Sequence, residues 1–358
     1  MTDDLGALVA RVPEALQGAT AYHVPQPPRV LAKLDANELP YPLPPELQAG
    51  LGAALAEVAL ERYPDPRARR LRDVLARQLG VAGERLTFGN GSDELIAMLV
   101  AAFAAAPAAV LYPVPSFVYY KLAAVARGIR AIEVPLRADF TLDEDAVEHA
   151  VATQRPSVVF LALPNNPTGT LWRLAFAREL AARHPDVVVV SDEAYVAYSG
   201  ETNLAAAQGN LVVMRTLSKI GMAGLRVGYT VSSPALAALL DKVRPPYNLS
   251  ALDQAAAGYL VEHAAVWCAE RAADVVRARD ALAVELAALP GVVVAPSRAN
   301  LLLLRVGPRA PTVWRALADA GVVVRAFGAG PLADCLRVTV GTPAENALLV
   351  RALHAALT

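Results

Sequence analysis

Residues 211–229, LVVMRTLSKIGMAGLRVGY, place the primary amine of Lys219 beside the hydroxyls of Thr216 and Ser218, with Arg226 seven positions on and Gly221, Gly224 and Gly228 around it. That combination suits one kind of chemistry: hydroxyls and guanidinium hold a phosphate while the amine forms a Schiff base with an aldehyde. An ordinary solvent-facing lysine in a flexible turn is the competing reading. Residues 211–214 and 225–230 read as short buried strands, so the amine falls at a strand end, where α/β proteins keep their sites. The other lysines, Lys33, Lys121 and Lys242, follow no buried strand with hydroxyls beside it.

Other segments offer partners for the same ligand. The run LTFGNGSDE at 86–94 reads as strand, glycine corner and helix start. Gly91, Ser92 and Asp93 there present backbone N–H groups and a hydroxyl that favour phosphate, with a plain N-cap as the alternative. Neither GxGxxG nor GxxxxGK[ST] is present. An apolar strand at 157–163 ends at PNNPTG, where the Asn165 amide could bond a phenolic oxygen; an Asx-capped turn explains it equally. A second strand, 187–190, ends at SDEAY, and an aspartate leaving a buried strand, Asp192, needs solvent or a cation such as a ring nitrogen. In PVPSFVYY at 113–120 the ring expected to stack on a flat cofactor is Phe117, next to the loop. Tyr63, before Pro64, is a packed aromatic or a phosphate donor. Asn37 and Glu38, among the prolines of 34–45, mark either an ordered loop or a surface crossing.

The elements that must position these groups alternate as strand, loop and helix through 86–230, which predicts a mostly parallel sheet flanked by helices. Helices are expected at 45–58, 69–79 and 141–153, the last with Asp143, Glu144 and Asp145 in its first turn. Beyond residue 246 the texture changes to one long helix at 252–289, strands at 292–295, 300–305, 322–327 and 335–340, and helices at 313–319 and 344–357. The expected organisation is an arm over 1–30, a large domain over 31–245 and a small α+β domain over 246–358. Arg325 and Arg337, each on a strand of the last, are candidates to fork onto an acid group.

With 358 residues the chain exceeds a single core, so two domains are the default. Thirty-three Lys plus Arg against 34 Asp plus Glu leave a charge of -1, which gives a broad nucleic-acid or anionic-membrane surface no support. No stretch reads as a membrane span or secretion signal, and a cytoplasmic protein is expected. Cys268 and Cys335 lie far apart without CxxC spacing, and the five histidines make no HxxxH pair, so neither disulfide nor metal site is suggested.

Taken in order, ANELPYP at 36–42, RYPD at 62–65, GNGSDE at 89–94, PNNPTG at 164–169, SDEAY at 191–195, TLSK with AGLR at 216–226 and LRVTVGTPAEN at 336–346 cover nearly the whole chain. This series resembles the fold-type I pyridoxal-phosphate aminotransferases, and among them the branch that takes histidinol phosphate. The resemblance implies a three-layer α/β/α large domain with a mixed, mostly parallel sheet of about seven strands plus a smaller α+β domain, the aspartate aminotransferase-like architecture. It implies pyridoxal 5'-phosphate joined to Lys219, which then shuttles a proton, and Asp192 paired with the ring nitrogen. Asn165 and Tyr195 would bond the ring oxygen, with Phe117 stacked over the ring. The phosphate would be held by Ser92 with the N–H groups of Gly91 and Asp93, by Thr216, Ser218 and Arg226, and by Tyr63 of a second subunit in a homodimer with composite sites. Substrate groups would meet Arg337, Asn37, and, at a distal phosphate, Arg325, Tyr22 and Asn90.

One departure concerns spacing: many relatives put eight residues between lysine and arginine where this chain has the compact SKIGMAGLR, a turn that Gly221 and Gly224 are expected to absorb. The activity implied is transfer of an amino group between histidinol phosphate and 2-oxoglutarate, in histidine biosynthesis. An aromatic amino-acid aminotransferase is the nearest alternative, followed by a decarboxylase of a phosphorylated amino acid on the same scaffold. A ligand-sensing regulator is the non-enzymatic alternative, and it would need an added DNA-binding segment.

Overall fold

The computed structural model describes residues 6–12, 14–17, 29–104, 108–328 and 330–358. Twelve strands lie among them: β1 Ala32–Leu34, β2 Leu86–Asn90, β3 Ala109–Val114, β4 Arg130–Pro135, β5 Val158–Ala162, β6 Val188–Asp192, β7 Leu211–Thr216, β8 Val227–Val231, β9 Val293–Val294, β10 Leu301–Arg305, β11 Val322–Ala326 and β12 Cys335–Thr339. Seven form a large sheet in the order β2-β8-β7-β6-β5-β3-β4, and five a smaller one in the order β1-β11-β12-β10-β9. In the large sheet only β8 runs against its neighbours, β2 and β7. The remaining pairings are parallel. Consequently β2, β3, β5, β6 and β7 all deliver their last residues to one edge, and β8 starts there.

Both faces of that sheet are covered, which is why its strands read as unbroken apolar runs. Alternate residues such as Tyr112, Phe160, Val190 and Met214 pack under the helices Gly91–Phe103, Tyr119–Val125 and Pro234–Val243. Their neighbours Leu111, Leu161 and Val189 pack under Glu144–Gln154 and Leu174–Arg183. The result is the three-layer large domain with a smaller domain beside it. Local chemistry sets several boundaries: Asp143 caps the helix Glu144–Gln154 by accepting from the Ala146 N–H, and Thr342 with Glu345 forms a capping box on Pro343–Leu357.

Three expectations about organisation differ from the structure. The segment Ala32–Leu34 falls outside the large sheet and pairs in parallel with β11 at the edge of the small one. Three residues are too few to show a period. The expected helix over 252–289 is two, Ala251–His263 and Ala265–Ala287, parted at Ala264. The first shares a core with Leu71, Val74 and Leu75 of the helix Arg69–Leu79, so it packs with the large domain although it lies beyond residue 246. The second helix starts in that same core with Cys268 and continues into two others through Ala272 and Val275 and through Leu282 and Leu286, and only the fold reveals the break between the helices.

Candidate active site

The shared strand edge of the large sheet faces the small sheet across a cavity of about 400 Å³. Among the expected residues, Asn37, Ser92, Asp93, Phe117, Asp192, Tyr195, Thr216, Ser218, Lys219, Arg226, Arg325 and Arg337 line it. A second cavity of about 710 Å³ shares Phe117, Asn166, Arg325 and Arg337 with the first, so the two form one chamber system.

Lys219 ends a one-turn helix, Leu217–Lys219, directly after β7. Its Nζ donates to the Ala36 carbonyl at 3.0 Å. Enclosure lowers its pKa to about 8, chiefly by desolvation and secondarily through Arg337. The amine is therefore far closer to its neutral, nucleophilic form at neutral pH than a surface lysine.

A cup of donors lies on one side of Lys219. Thr216 Oγ1 accepts from the Ser218 N–H at 3.1 Å and bonds Ser218 Oγ at 2.9 Å. Arg226 Nη1 reaches Ser218 Oγ at 3.4 Å, and its Nη2 bonds Asp93 Oδ2 at 3.1 Å. The N-terminus of the helix Gly91–Phe103 completes the cup, with no side-chain cap on its first N–H groups. The shortened loop still brings Arg226 to this place. Gly221 does take a left-handed φ of +94°, but the second left-handed residue is Arg226 itself, at +52°, rather than Gly224.

Gly228 lets β8 close on that helix. A Cβ there would sit 2.7 Å from Gly91 C and 2.8 Å from Ser92 N, both backbone atoms without slack. Gly228→Ala is expected to push the helix start away, weakening cofactor binding about tenfold or more and stability by roughly 1–3 kcal/mol. Fluorescence titration and urea unfolding measure the two; an unchanged affinity would count against the close approach as the reason for glycine.

On the opposite side Asp192 is buried, and burial raises its pKa to about 6 even though Tyr120 Oη donates to Oδ2 at 2.5 Å and the Ala194 N–H to Oδ1 at 3.1 Å. A buried carboxylate without a cation is electrostatically incomplete. Tyr195 Oη accepts from Asn37 Nδ2 at 2.9 Å, which leaves its own proton to donate into the cavity. Asn37 holds a left-handed φ of +54°, a conformation asparagine tolerates, and is tied to Thr339 through its N–H at 2.9 Å. Phe117 stands edge-on to Tyr120, with ring centroids 5.7 Å apart.

Several of the expected residues stand elsewhere. Asn165 does not line the cavity: Ser116 Oγ donates to its Oδ1 at 2.7 Å, and its Nδ2 donates to Pro115 O and Thr168 Oγ1 at 3.0 and 2.8 Å. Asn166 is the asparagine that reaches it, accepting from Arg337 Nη1 at 2.6 Å. Two adjacent asparagines in an irregular loop point different ways, and the motif does not say which points inward. Asn90 is turned outside, donating to Asn248 O at 3.3 Å, and Gly91 contributes backbone behind the cavity wall. Tyr63 is 82% exposed and stacked on Tyr247 at 4.7 Å, away from its own chain's cavity. Tyr22 lies outside the described residues.

Sequence reading missed Tyr120, hidden in the FVYY aromatic run, and Glu193, the third letter of SDEAY. Glu193 is fully buried and accepts from Thr202 Oγ1 and the Asn203 N–H, each at 2.6 Å, and from Arg215 Nη2 at 2.8 Å. Because Arg215 precedes Thr216, this pair ties the end of β6 that carries Asp192 to the end of β7 that leads to Lys219. The signal was available as a second acid following Asp192.

Arg325 and Arg337 face each other directly across the β11–β12 pair, and both line the cavity. Like charges at directly opposed positions repel, and an anion between them offsets the cost.

The donor set fits pyridoxal 5'-phosphate: an anion cup, an enclosed amine, a phenol and amide, and a buried carboxylate with no cation paired to it among the described residues. The aminotransferase class I and II family matches residues 29–353. Histidinol-phosphate aminotransferase 1 of Burkholderia lata is 49% identical over 343 residues, covering 94% of this chain and 95% of that one. Histidinol-phosphate aminotransferase 2 of Burkholderia pseudomallei is also 49% identical, over 94% and 96%. A crystal structure of histidinol-phosphate aminotransferase from Sinorhizobium meliloti in complex with pyridoxal-5'-phosphate superimposes with a TM-score of 0.87 at 26% identity, over 97% of this chain and 98% of that one.

Proposed function

The chain belongs to the aminotransferase class I and II family, and we propose that it exchanges an amino group between histidinol phosphate and 2-oxoglutarate, yielding imidazole acetol phosphate and glutamate in histidine biosynthesis. The observation that carries the substrate is two arginines, Arg325 and Arg337, opposite each other in the β11–β12 register and lining the same cavity as Lys219. A dianionic phosphate offers acceptors to both arginines in one half of the cycle, and the carboxylates of glutamate do so in the other.

Pyridoxal 5'-phosphate supplies the aldehyde that takes up the amino group and a ring that draws electrons from the substrate carbon. Ser92, Thr216, Ser218 and Arg226 would hold its phosphate, Asp192 its ring nitrogen, Asn166 and Tyr195 its ring oxygen, and Phe117 one face. Asp192, hydrogen-bonded by Tyr120, would hold the negative charge that stabilises a cationic ring nitrogen. Lys219 Nζ, with its pKa lowered to about 8, is poised to take and return the proton of the substrate carbon. Arg337, tethered to Asn166 at 2.6 Å and to the Asp35 carbonyl, orients the anionic end of the substrate.

In this reading Tyr63 serves the phosphate cup of a second copy of the chain, and the active form is a homodimer with composite sites. Its exposure and its stacking on Tyr247 support this. A cytoplasmic location belongs to the same proposal and is tested by cell fractionation.

The purified protein is expected to convert its cofactor spectrum with histidinol phosphate and to restore it with 2-oxoglutarate. Arg325→Leu should lower kcat/KM for histidinol phosphate about 100-fold and for unphosphorylated histidinol by no more than a few fold. An aromatic amino acid is the second reading, favoured by the apolar walls of the 710 Å³ cavity, Val114, Phe117, Val118, Leu122, Phe327 and Leu332. Brisk turnover of phenylalanine with none of histidinol phosphate would select it. Carbon dioxide release without a keto acid would point instead to a decarboxylase.

A further inference from the structure

Asp35 lies in the cavity wall, and its side chain has no part in the chemistry above. Its side chain is only 9% exposed. Yet Oδ1 accepts no hydrogen bond among the described residues. Lys33 Nζ forms an ion pair with Oδ1 at 3.4 Å, a long contact for a group whose short hydrogen bond goes to Glu38 at 2.5 Å. A carboxylate enclosed with only one long ion pair is poorly compensated, and a donor on the ligand relieves the cost.

Its position identifies which part of a ligand would do so. Residues 35–37 run along the cavity, and each makes one functional contact. The Asp35 carbonyl accepts from Arg337 Nη2, the Ala36 carbonyl from Lys219 Nζ at 3.0 Å, and Asn37 Nδ2 donates to Tyr195 Oη at 2.9 Å. Asp35 therefore sits between the guanidinium that takes the anionic end and the amine that does the chemistry. Histidinol phosphate branches at its amine-bearing carbon, one arm carrying phosphate and the other an imidazole.

We propose that Asp35 is a specificity residue whose carboxylate accepts a hydrogen bond from an N–H donor on the second arm of the substrate, the imidazole N–H in the reaction proposed above, on which this inference rests. A phenyl ring of the same shape leaves the oxygen unpaired. Sites built to hydrogen-bond a substrate reject analogues that lack the donor far more strongly than apolar sites reject a change of size.

The test compares histidinol phosphate with phenylalaninol phosphate in single-turnover half-reactions of the holoenzyme, for the unsubstituted protein, Asp35→Leu and Asp35→Asn. The unsubstituted protein is expected to prefer the imidazole compound by about 100-fold or more in rate over apparent dissociation constant, Asp35→Leu by less than about fivefold, and Asp35→Asn, which keeps an acceptor oxygen, by an intermediate factor. Cofactor affinity, read by fluorescence quenching, separates folding from recognition. An unchanged preference in both variants, or equal losses on both substrates, overturns the role of Asp35 while leaving the reaction in place. A protein inert toward histidinol phosphate overturns the proposed function itself.

Discussion

Lys219→Ala loses at least about 10⁴-fold in transamination rate, because the residue that joins the cofactor and moves the proton is gone while the donors of the phosphate cup remain. The variant still binds pyridoxal 5'-phosphate, but without the visible absorbance of the lysine-bound form. An unchanged spectrum would mean that another lysine carries the ring, and Lys33, ion-paired with Glu38 in the same cavity, would be the one to examine. The substitution also has a pH signature in the cofactor-free protein. Folding lowers the Lys219 pKa from 10.5 to about 8, so between those values the unfolded chain binds more protons and the stability of the unsubstituted protein climbs with pH. Alanine has no such climb. Lys219→Ala should therefore have the higher Tm below pH 8, an advantage that shrinks as pH rises from 8 to 10.5. Parallel Tm curves across that window would show that the amine is not desolvated.

The second large effect is Asp192→Asn. Removing a preorganised charge opposite a developing one costs about 10²–10³ in kcat, and cofactor affinity falls with it. A kcat within threefold of the original would remove Asp192 from the mechanism. Stability moves the other way in the cofactor-free protein. Burial raises the Asp192 pKa from 3.8 to about 6, so its favourable contribution is complete below pH 3.8 and is lost as pH rises through 6. Asparagine avoids that loss, and the Tm advantage of Asp192→Asn should grow between pH 4 and 7. Saturating cofactor should erase the advantage, since its ring nitrogen gives the carboxylate the cation it lacks.

Both predictions rest on residues that were legible early, and the reason is local. Lys219 and Asp192 each follow a run of apolar residues, Leu211–Thr216 and Val188–Asp192, whose composition marks a buried parallel strand. A polar group at the end of such a strand has its position set by the strand, so type and order along the chain are informative. The glycine corner before Ser92 is legible for the same reason. The layered α/β plan follows from alternation of these strands with amphipathic helices.

Where several polar groups share an irregular segment, order along the chain stops being enough. Asn165 and Asn166 are chemically identical and adjacent, yet Ser116, Pro115 and Thr168 absorb the first while Arg337 engages the second. Tyr120 belongs to the site only because β6 ends within 2.5 Å of its hydroxyl. Asn90 and Tyr63 carry the right chemistry and face away from their own chain's cavity.

By itself, then, the sequence determined the reactive amine, its carboxylate opposite, the phosphate corner and the layered plan, because each is written in a strand or helix that a short apolar pattern specifies. Tertiary structure alone decided which asparagine enters the cavity, that Arg226 takes a left-handed conformation in the shortened loop, that Arg325 pairs in register with Arg337, and that the enclosed Asp35 Oδ1 accepts no hydrogen bond among the described residues. Those outcomes depend on side-chain directions in loops and on pairings such as Ala32–Leu34 with β11, made between residues nearly 300 positions apart. No local pattern encodes such contacts.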